Sequence, residues 1–399
     1  MKEWFSQLDE KVYGKPLVYL DNAATSLRPR SVIDKWTEMS VKNNSNLHRA
    51  VHYTASKATE EYENARKQVA DFIGAKPSRI VFTSGTTASI NLLAFSFGEC
   101  CVREGDEIII AECEHHSDIV PWQLLCQRKK AAIKVLPVDE TGHLCVDRLP
   151  SLLTEKTRIV CVSHVSNVLG IVNPISRIVD ICHSRSVPVL VDGAQGIVHL
   201  PVDVGEIACD FYVFSGHKMY AAPGTGVLYA SGDWLDRLPP YMGGGEMIGT
   251  VKWSGSTYAP APQKFEAGTQ NISGVPTWCP AITTAEALRR KDAGLSAIKE
   301  YVLEKLHSIG GLRLYGEPAF PEDKIPLFSF TVEGAHHEDL ALILDKMGIA
   351  VRSGQMCAEP LMDRFGVTGM LRASFAPYNT MKEAEYFIES LNKAISMLR

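Results

Sequence analysis

Two hydrophobic rhythms alternate along the first two thirds of the chain. One is short and nearly continuous: apolar runs at 79–82, 107–111, 133–138, 158–163, 188–192, 211–214 and 226–230. Runs of that length, rich in Val and Ile and apolar at successive positions, predict strands covered on both faces. The other rhythm returns an apolar residue every three or four positions, at 54–73, 87–97, 119–129 and 174–184, and predicts helices. Seven strands interleaved with helices give an α/β architecture, a mainly parallel sheet that binds ligands at the carboxyl ends of its strands.

The alternation stops at Gly243-Gly244-Gly245, which opens a loop-rich stretch to about 262. A long helical pattern follows from near Pro280, then a strand at 328–332, a helix at 338–346, a strand at 349–352 and an amphipathic helix at 380–398. That order suits a smaller α+β unit. The expected division is a large domain at 20–283 and a small C-terminal one at 284–399, with 1–19 packing on the latter.

Composition narrows the function. A chain of 399 residues exceeds one ordinary core. A net charge of −5 leaves no basic footprint for nucleic acid or an anionic membrane. No apolar run reaches the roughly 20 residues of a membrane span, and 1–10 is polar and mixed rather than a leader. The expected location is cytoplasmic. The ten cysteines are scattered without a C-x-x-C pair, so no metal site is expected. Those inside apolar runs, such as Cys161, read as buried small hydrophobes in a reducing compartment.

Candidate chemistry gathers at strand ends. Ser215-Gly216-His217-Lys218 places a lysine after the 211–214 strand, where it is either a surface residue or an amine suited to a Schiff base. Asp192 ends the 188–192 strand just before Gln195; its carboxylate fits a helix cap, or the pyridinium partner that pyridoxal phosphate (PLP) requires. Ser84-Gly85-Thr86-Thr87 opens a helix, where hydroxyls and backbone N–H groups serve equally as caps and as a phosphate cradle. His115-His116 follows another strand end, as loop residues or as an imidazole against a planar ring.

With these segments in place the chain resembles the class V aminotransferase family, fold type I, and within it the SufS-type (group II) cysteine desulfurases, which stand close to selenocysteine lyases. Matching segments run almost end to end, among them Tyr19 to Ala24, His48-Arg49, Glu114-His115-His116, Ser163 to Gly170, Asp192 to Gln195, Phe265 to Thr269, Arg352 to Pro360 and Arg372 to Thr380. The resemblance implies PLP as cofactor, bonded to Lys218, with Asp192 on the ring nitrogen, Gln195 at the phenolic oxygen and His115 stacked on the ring. It implies Thr86, Thr87, Ser215 and His217 at the phosphate, joined by Thr269 from a second subunit of a homodimer. Asn167 and Arg372 would hold the substrate carboxylate, with His48 and Arg352 as further substrate contacts. The Gly-rich segment after Pro240 would form a hairpin crossing to the partner.

By the same resemblance Cys357 is the nucleophile. Its thiolate would take the sulfur of L-cysteine as a persulfide; the nearest alternative is a selenocysteine lyase, whose substrate, L-selenocysteine, loses selenium readily and need not be attacked by Cys357. Alanine would be released and a small acceptor protein served, with iron–sulfur cluster assembly as the pathway. Relatives carry His-His or Gln-His before this cysteine; here the pair is Gln355-Met356. A missing imidazole and an apolar neighbour change the protonation of such a thiol. An aminotransferase, another β-eliminating lyase and a non-catalytic PLP-fold binding protein stay open as alternatives. His336-His337 is expected to cap the 338–346 helix rather than to form a docking surface.

Overall fold

A computed structural model describes residues 2–48, 51–290 and 293–399. Its centre is a seven-stranded sheet: β1 (Ile80–Thr83), β2 (Glu107–Ala111), β3 (Ala132–Leu136), β4 (Thr157–Ser163), β5 (Val189–Asp192), β6 (Phe211–Ser215) and β7 (Gly226–Ala230), in the order β1-β7-β6-β5-β4-β2-β3. Every pairing from β6 to β3 is parallel, and β7 runs antiparallel to both its neighbours. Alternation along each strand feeds two cores. Ile109, Val191, Tyr212 and Phe214 face one, while Ile108, Ile110, Leu190, Phe211 and Val213 face the other. This is why the inner strands read as continuous apolar runs, whereas the edge strand β3 leaves Ala132 and Val135 exposed.

The first face is covered by α2 (Tyr53–Phe72), α5 (Ile175–His183) and α6 (Trp278–Arg290), through Tyr62, Val69, Ile178 and Trp278 among others. The second is covered by α3 (Thr86–Cys101) and α4 (Val120–Lys129), through Leu93, Phe97, Trp122 and Leu125. α1 (Arg30–Lys42), which the sequence pattern did not reveal, packs on α6.

A four-stranded antiparallel sheet forms the second unit, β8 (Leu312–Tyr315), β9 (Leu327–Val332), β10 (Arg352–Gly354) and β11 (Met370–Ser374), in the order β8-β9-β11-β10. With α7 (Ala293–His307), α8 (His337–Lys346) and α9 (Met381–Leu398) it closes a separate core around Phe328, Phe330, Leu344 and Phe387. Thr380 starts α9 with a reciprocal capping box, its hydroxyl accepting from Glu383 N and Glu383 Oε2 accepting from Thr380 N.

Three expectations need correction. The division at 283/284 falls inside α6, whose buried residues Trp278, Ala281, Ile282, Ala285 and Leu288 all join the first core. Apart from Val18 and Leu20, membership of the second core begins only with α7. The first 19 residues divide as well: Val18–Tyr19 pairs with Ile349–Ala350, but Phe5 stacks 4.6 Å from Tyr378 inside the first core. The strand expected at 349–352 is two pieces, Ile349–Ala350 and β10, on different sheets. The stretch after Gly243–Gly245 carries a hairpin, Ile248–Lys252 with Gly255–Tyr258, whose Val251, Trp253 and Tyr258 stand exposed. Among the described residues no helix is long and apolar enough to cross a membrane.

Candidate active site

A cleft of about 190 Å³ opens at the carboxyl ends of β4, β5 and β6. Lys218 reaches it from the tight turn Gly216–Lys218 that follows β6. A Cβ on Gly216 would lie 2.2 Å from Thr225 Oγ1, so only glycine lets the chain turn there. Burial lowers the Lys218 pKa; Asp192 opposes this, while Arg372 and Arg352 add to it. Asp192, the last residue of β5, accepts from Ala194 N at 2.8 Å. Burial raises its carboxyl and the Lys218 charge pulls it back down. Each group thus favours the charged form of the other, against a burial that disfavours both charges.

Hydroxyls converge at the start of α3. Ser215 Oγ lies 2.8 Å from both Thr86 N and Thr86 Oγ1, and Thr87 Oγ1 lies 2.7 Å from Ser117 Oγ. Gly85 precedes this turn without a side-chain cap. Gly226 of β7 runs against it so closely that a Cβ would sit 2.4 Å from Gly85 Cα. A ring of hydroxyl and N–H donors at a helix N-terminus is an anion site in waiting. Two imidazoles flank it. Burial, reinforced by Lys218, pushes His115 and His217 each down to about 4, so both are neutral near pH 7. His115 Nδ1 accepts from Ser117 N at 3.0 Å, which places its proton on Nε2.

The opposite wall comes from the smaller sheet. Arg372 on β11 is buried; its Nη1 donates to Asn167 O at 2.8 Å and its Nη2 to Asp21 Oδ1 at 3.1 Å. Its Nε has no partner. Arg352 stands 3.7 Å from the other oxygen of Asp21. Asn167 Nδ2 donates to Met356 O at 2.8 Å, and His116 N donates to Cys357 O at 2.7 Å. Those two carbonyls belong to consecutive residues with φ of 54° and 55°. Left-handed backbone is costly for side chains of this size and persists only where its surroundings enforce it. Here they do: Met356 is buried and Cys357 stands exposed at the mouth of the cleft.

The fold therefore brings Lys218, Cys357, His115, Thr86, Thr87, Asn167, Asp192, Gln195, Ser215, His217, Arg352 and Arg372 to one cleft. Gln195 does so with its Nε2 donating to Ala23 O at 2.7 Å. It does not bring His48, whose ring lies 3.6 Å from Glu63 and edge-on to Tyr62, nor Thr269, which borders a separate pocket with Thr83 and Ser84. Arg49 lies outside the described residues. Ser117 and Asp21 were missed. Ser117 was detectable as a hydroxyl two residues after His115. Asp21 gave no such signal, because its role depends on a contact with Arg372 across 351 residues. His336 caps α8, its Nδ1 accepting from Glu338 N.

A family model described as class-V aminotransferase matches residues 18–387. The chain belongs to the class-V aminotransferase family. As a member it is 43% identical over 403 residues to a cysteine desulfurase of Escherichia coli K12, spanning 99% of this chain and 97% of that protein. It is 41% identical to a probable cysteine desulfurase of Vibrio cholerae, spanning 99% and 97%. Among solved structures it is similar to the cysteine desulfurase CsdA of Escherichia coli, with a TM-score of 0.89, 37% identity and 96% of each chain covered. The cysteine desulfurase of Thermococcus onnurineus gives 0.92, 36%, and coverage of 96% and 95%.

Class-V aminotransferases are PLP-dependent, and this cleft fits that cofactor. The hydroxyl ring at the α3 N-terminus matches a phosphate. The buried Asp192 carboxylate opposite the Lys218 amine matches a protonated ring nitrogen and an aldehyde.

Proposed function

We propose that this protein is a PLP-dependent cysteine desulfurase, converting L-cysteine to L-alanine and leaving a persulfide on Cys357. One observation carries the reading: the exposed Cys357 thiol lines the same cleft as Lys218 and Asp192. When bound, the cofactor supplies an electron sink next to the substrate α-carbon.

The remaining steps belong to the chain. Thr86, Thr87, Ser215 and His217 would bind the phosphate, Asp192 would keep the ring nitrogen protonated, Gln195 would bond the phenolic oxygen and His115 would lie against the ring. Lys218 would hold the cofactor, and its amine, whose pKa burial lowers, is placed to move the substrate α-proton. Arg372, with its unpartnered Nε, takes the substrate carboxylate beside Asn167. Cys357 Sγ attacks the substrate sulfur, so that an S–S bond forms as the Cβ–S bond breaks and the electron pair passes to the three-carbon fragment. Protonation of that fragment gives alanine.

Thr269 and the exposed hairpin support a homodimer in which each copy completes the other's site. The exposed thiol supports release of sulfur to a small acceptor protein. Product analysis with L-cysteine and L-selenocysteine, wild type against Cys357→Ala, tests the assignment. With a thiol reductant present to release the persulfide as sulfide, alanine and sulfide from cysteine should disappear in the variant. If cysteine turnover survives, the nucleophile is wrong. If selenocysteine turnover alone survives, both chemistries share the cleft and only the sulfur one needs the thiol.

A further inference from the structure

Behind Asp192 lies a second pair of carboxylates that the reaction above does not use. Glu114 and Asp118 are both 0% exposed, and Asp192 is 6% exposed. Glu114 Oε1 accepts from Ser163 N at 2.6 Å, and Ser163 pairs with Asp192 across β4 and β5. Asp118 Oδ1 accepts from Trp122 Nε1 at 2.8 Å. The remaining oxygens, Glu114 Oε2 and Asp118 Oδ2, are buried with no hydrogen-bond partner, and so is the Ser163 hydroxyl beside them.

Two carboxylates that face each other sealed from water, with a single hydroxyl proton from Ser163 within reach of Glu114, do not coexist as anions. A single added proton resolves the geometry, because one acid can then donate to the other. We propose that Glu114 and Asp118 share one proton as a carboxylic acid–carboxylate pair, and that its single negative charge acts through Asp192 to hold the cofactor ring protonated. Both are positioning residues, and the second half of the proposal rests on the cofactor reading above.

The surroundings agree. The groups facing the pair are Asp192 from β5, the Cys113 thiol beside it, Cys161 from β4 and the Trp122 indole; the cation facing Asp192 is Lys218. Burial raises both acids, and Asp192 raises them further. Three ionised carboxylates would face one lysine; two charges shared over three groups leave the cluster close to balanced.

Amide substitutions separate charge from shape. Asp118→Asn or Glu114→Gln replaces the shared proton by an amide N–H and keeps one negative charge. The double variant keeps the shape and removes the charge. Infrared difference spectra of holoenzyme should show a protonated-carboxyl carbonyl band in wild type that is lost in either single variant. A wild type without that band, or a band surviving in both singles, overturns the shared proton; an ordered water between two anions gives the first result. In the visible absorbance titration of the bound cofactor, the double variant should shift the midpoint to lower pH while the singles stay with wild type. An unshifted double variant overturns the coupling to Asp192. If no cofactor absorbance forms in wild type, the cofactor reading fails and the coupling with it, whereas the infrared band still decides the shared proton.

Discussion

Glu266 is the buried counter-ion that ties β1 to α2, and its replacement by glutamine tests how the start of the phosphate cradle is held. Its Oε1 accepts from Arg66 Nη1 and from Phe82 N, each at 2.7 Å, and its Oε2 from Arg66 Nη2 at 2.8 Å and the Tyr62 hydroxyl at 3.4 Å. Every partner is a donor. Whichever way the introduced amide turns, its NH2 meets a donor, so the substitution removes a charge and creates a clash together. Arg66, only 2% exposed, is left with Glu63, itself 37% exposed, as its one carboxylate. Breaking a buried pair from one side costs about 3–5 kcal/mol. The surviving Glu63 bonds and the Arg66 bond to Ile80 O place Glu266→Gln near the lower end, about 3 kcal/mol. Arg66→Met added to it removes the stranded cation and should return part of the loss, with a coupling of about 1–3 kcal/mol in a double-mutant cycle. Urea midpoints followed by circular dichroism measure this. Phe82 precedes Gly85 by three residues, so cofactor loss on dilution should also quicken. A single-variant cost under about 1 kcal/mol, or strict additivity in the cycle, refutes the reasoning.

Lys324 makes the pH prediction. Burial pushes its amine down to about 7 while Nζ donates to Leu169 O and Gly316 O. The folded state then binds fewer protons than the unfolded between about 7 and 10.5, so this group makes stability rise with pH there, by up to about 1.4 kcal/mol per pH unit, and adds no slope below. Lys324→Met should abolish that rise in urea midpoints; equal slopes in both proteins disprove it. Gly226→Ala forces a methyl to within 2.4 Å of Gly85 Cα and should cost about 1–3 kcal/mol together with weaker cofactor retention, read by melting and absorbance; an unchanged melt would mean the strand can withdraw. Lys218→Ala should abolish the cofactor's visible band and cut alanine production by about 10²–10⁴-fold; a retained band would place the amine elsewhere.

Legibility in the sequence followed the range of the interactions involved. Strands β2 and β7 were found to the residue, because a doubly covered strand is apolar at every position and needs no partner to be recognised. β8 and β11 escaped. β11 reads Met-Leu-Arg-Ala-Ser, with a buried arginine at its centre, and that charge is tolerable only because Asn167 O and Asp21 meet it in the fold. The end of the large unit was misplaced because α6 keeps its apolar face turned to the first core throughout, with no change of composition at 283/284. Chemistry at strand ends was legible, since Asp192 ends a strand and Lys218 and Thr86 each come three residues after one. His48 and Thr269, assigned by resemblance alone, stand outside the cleft of a single chain.

Asn167 shows how the thiol is held at the cleft. Its backbone carbonyl takes a bond from Arg372, and its side-chain amide donates to the carbonyl of Met356. One residue of the large unit thus fixes both the guanidinium proposed to hold the substrate carboxylate and the turn that presents Cys357. His116 adds a second hold on that turn, through its backbone N–H to Cys357 O and its ring nitrogen, which accepts from Glu359 N at 3.0 Å. The left-handed pair at 356 and 357 is stable because the large unit grips it from two sides, rather than because the β10 strand leads into it. The distance between carboxylate site and nucleophile is therefore held by short paths through Asn167 and His116. Both paths bond to backbone carbonyls, so the methionine at 356 acts chiefly on the chemical surroundings of the thiol and on the packing of its own buried side chain.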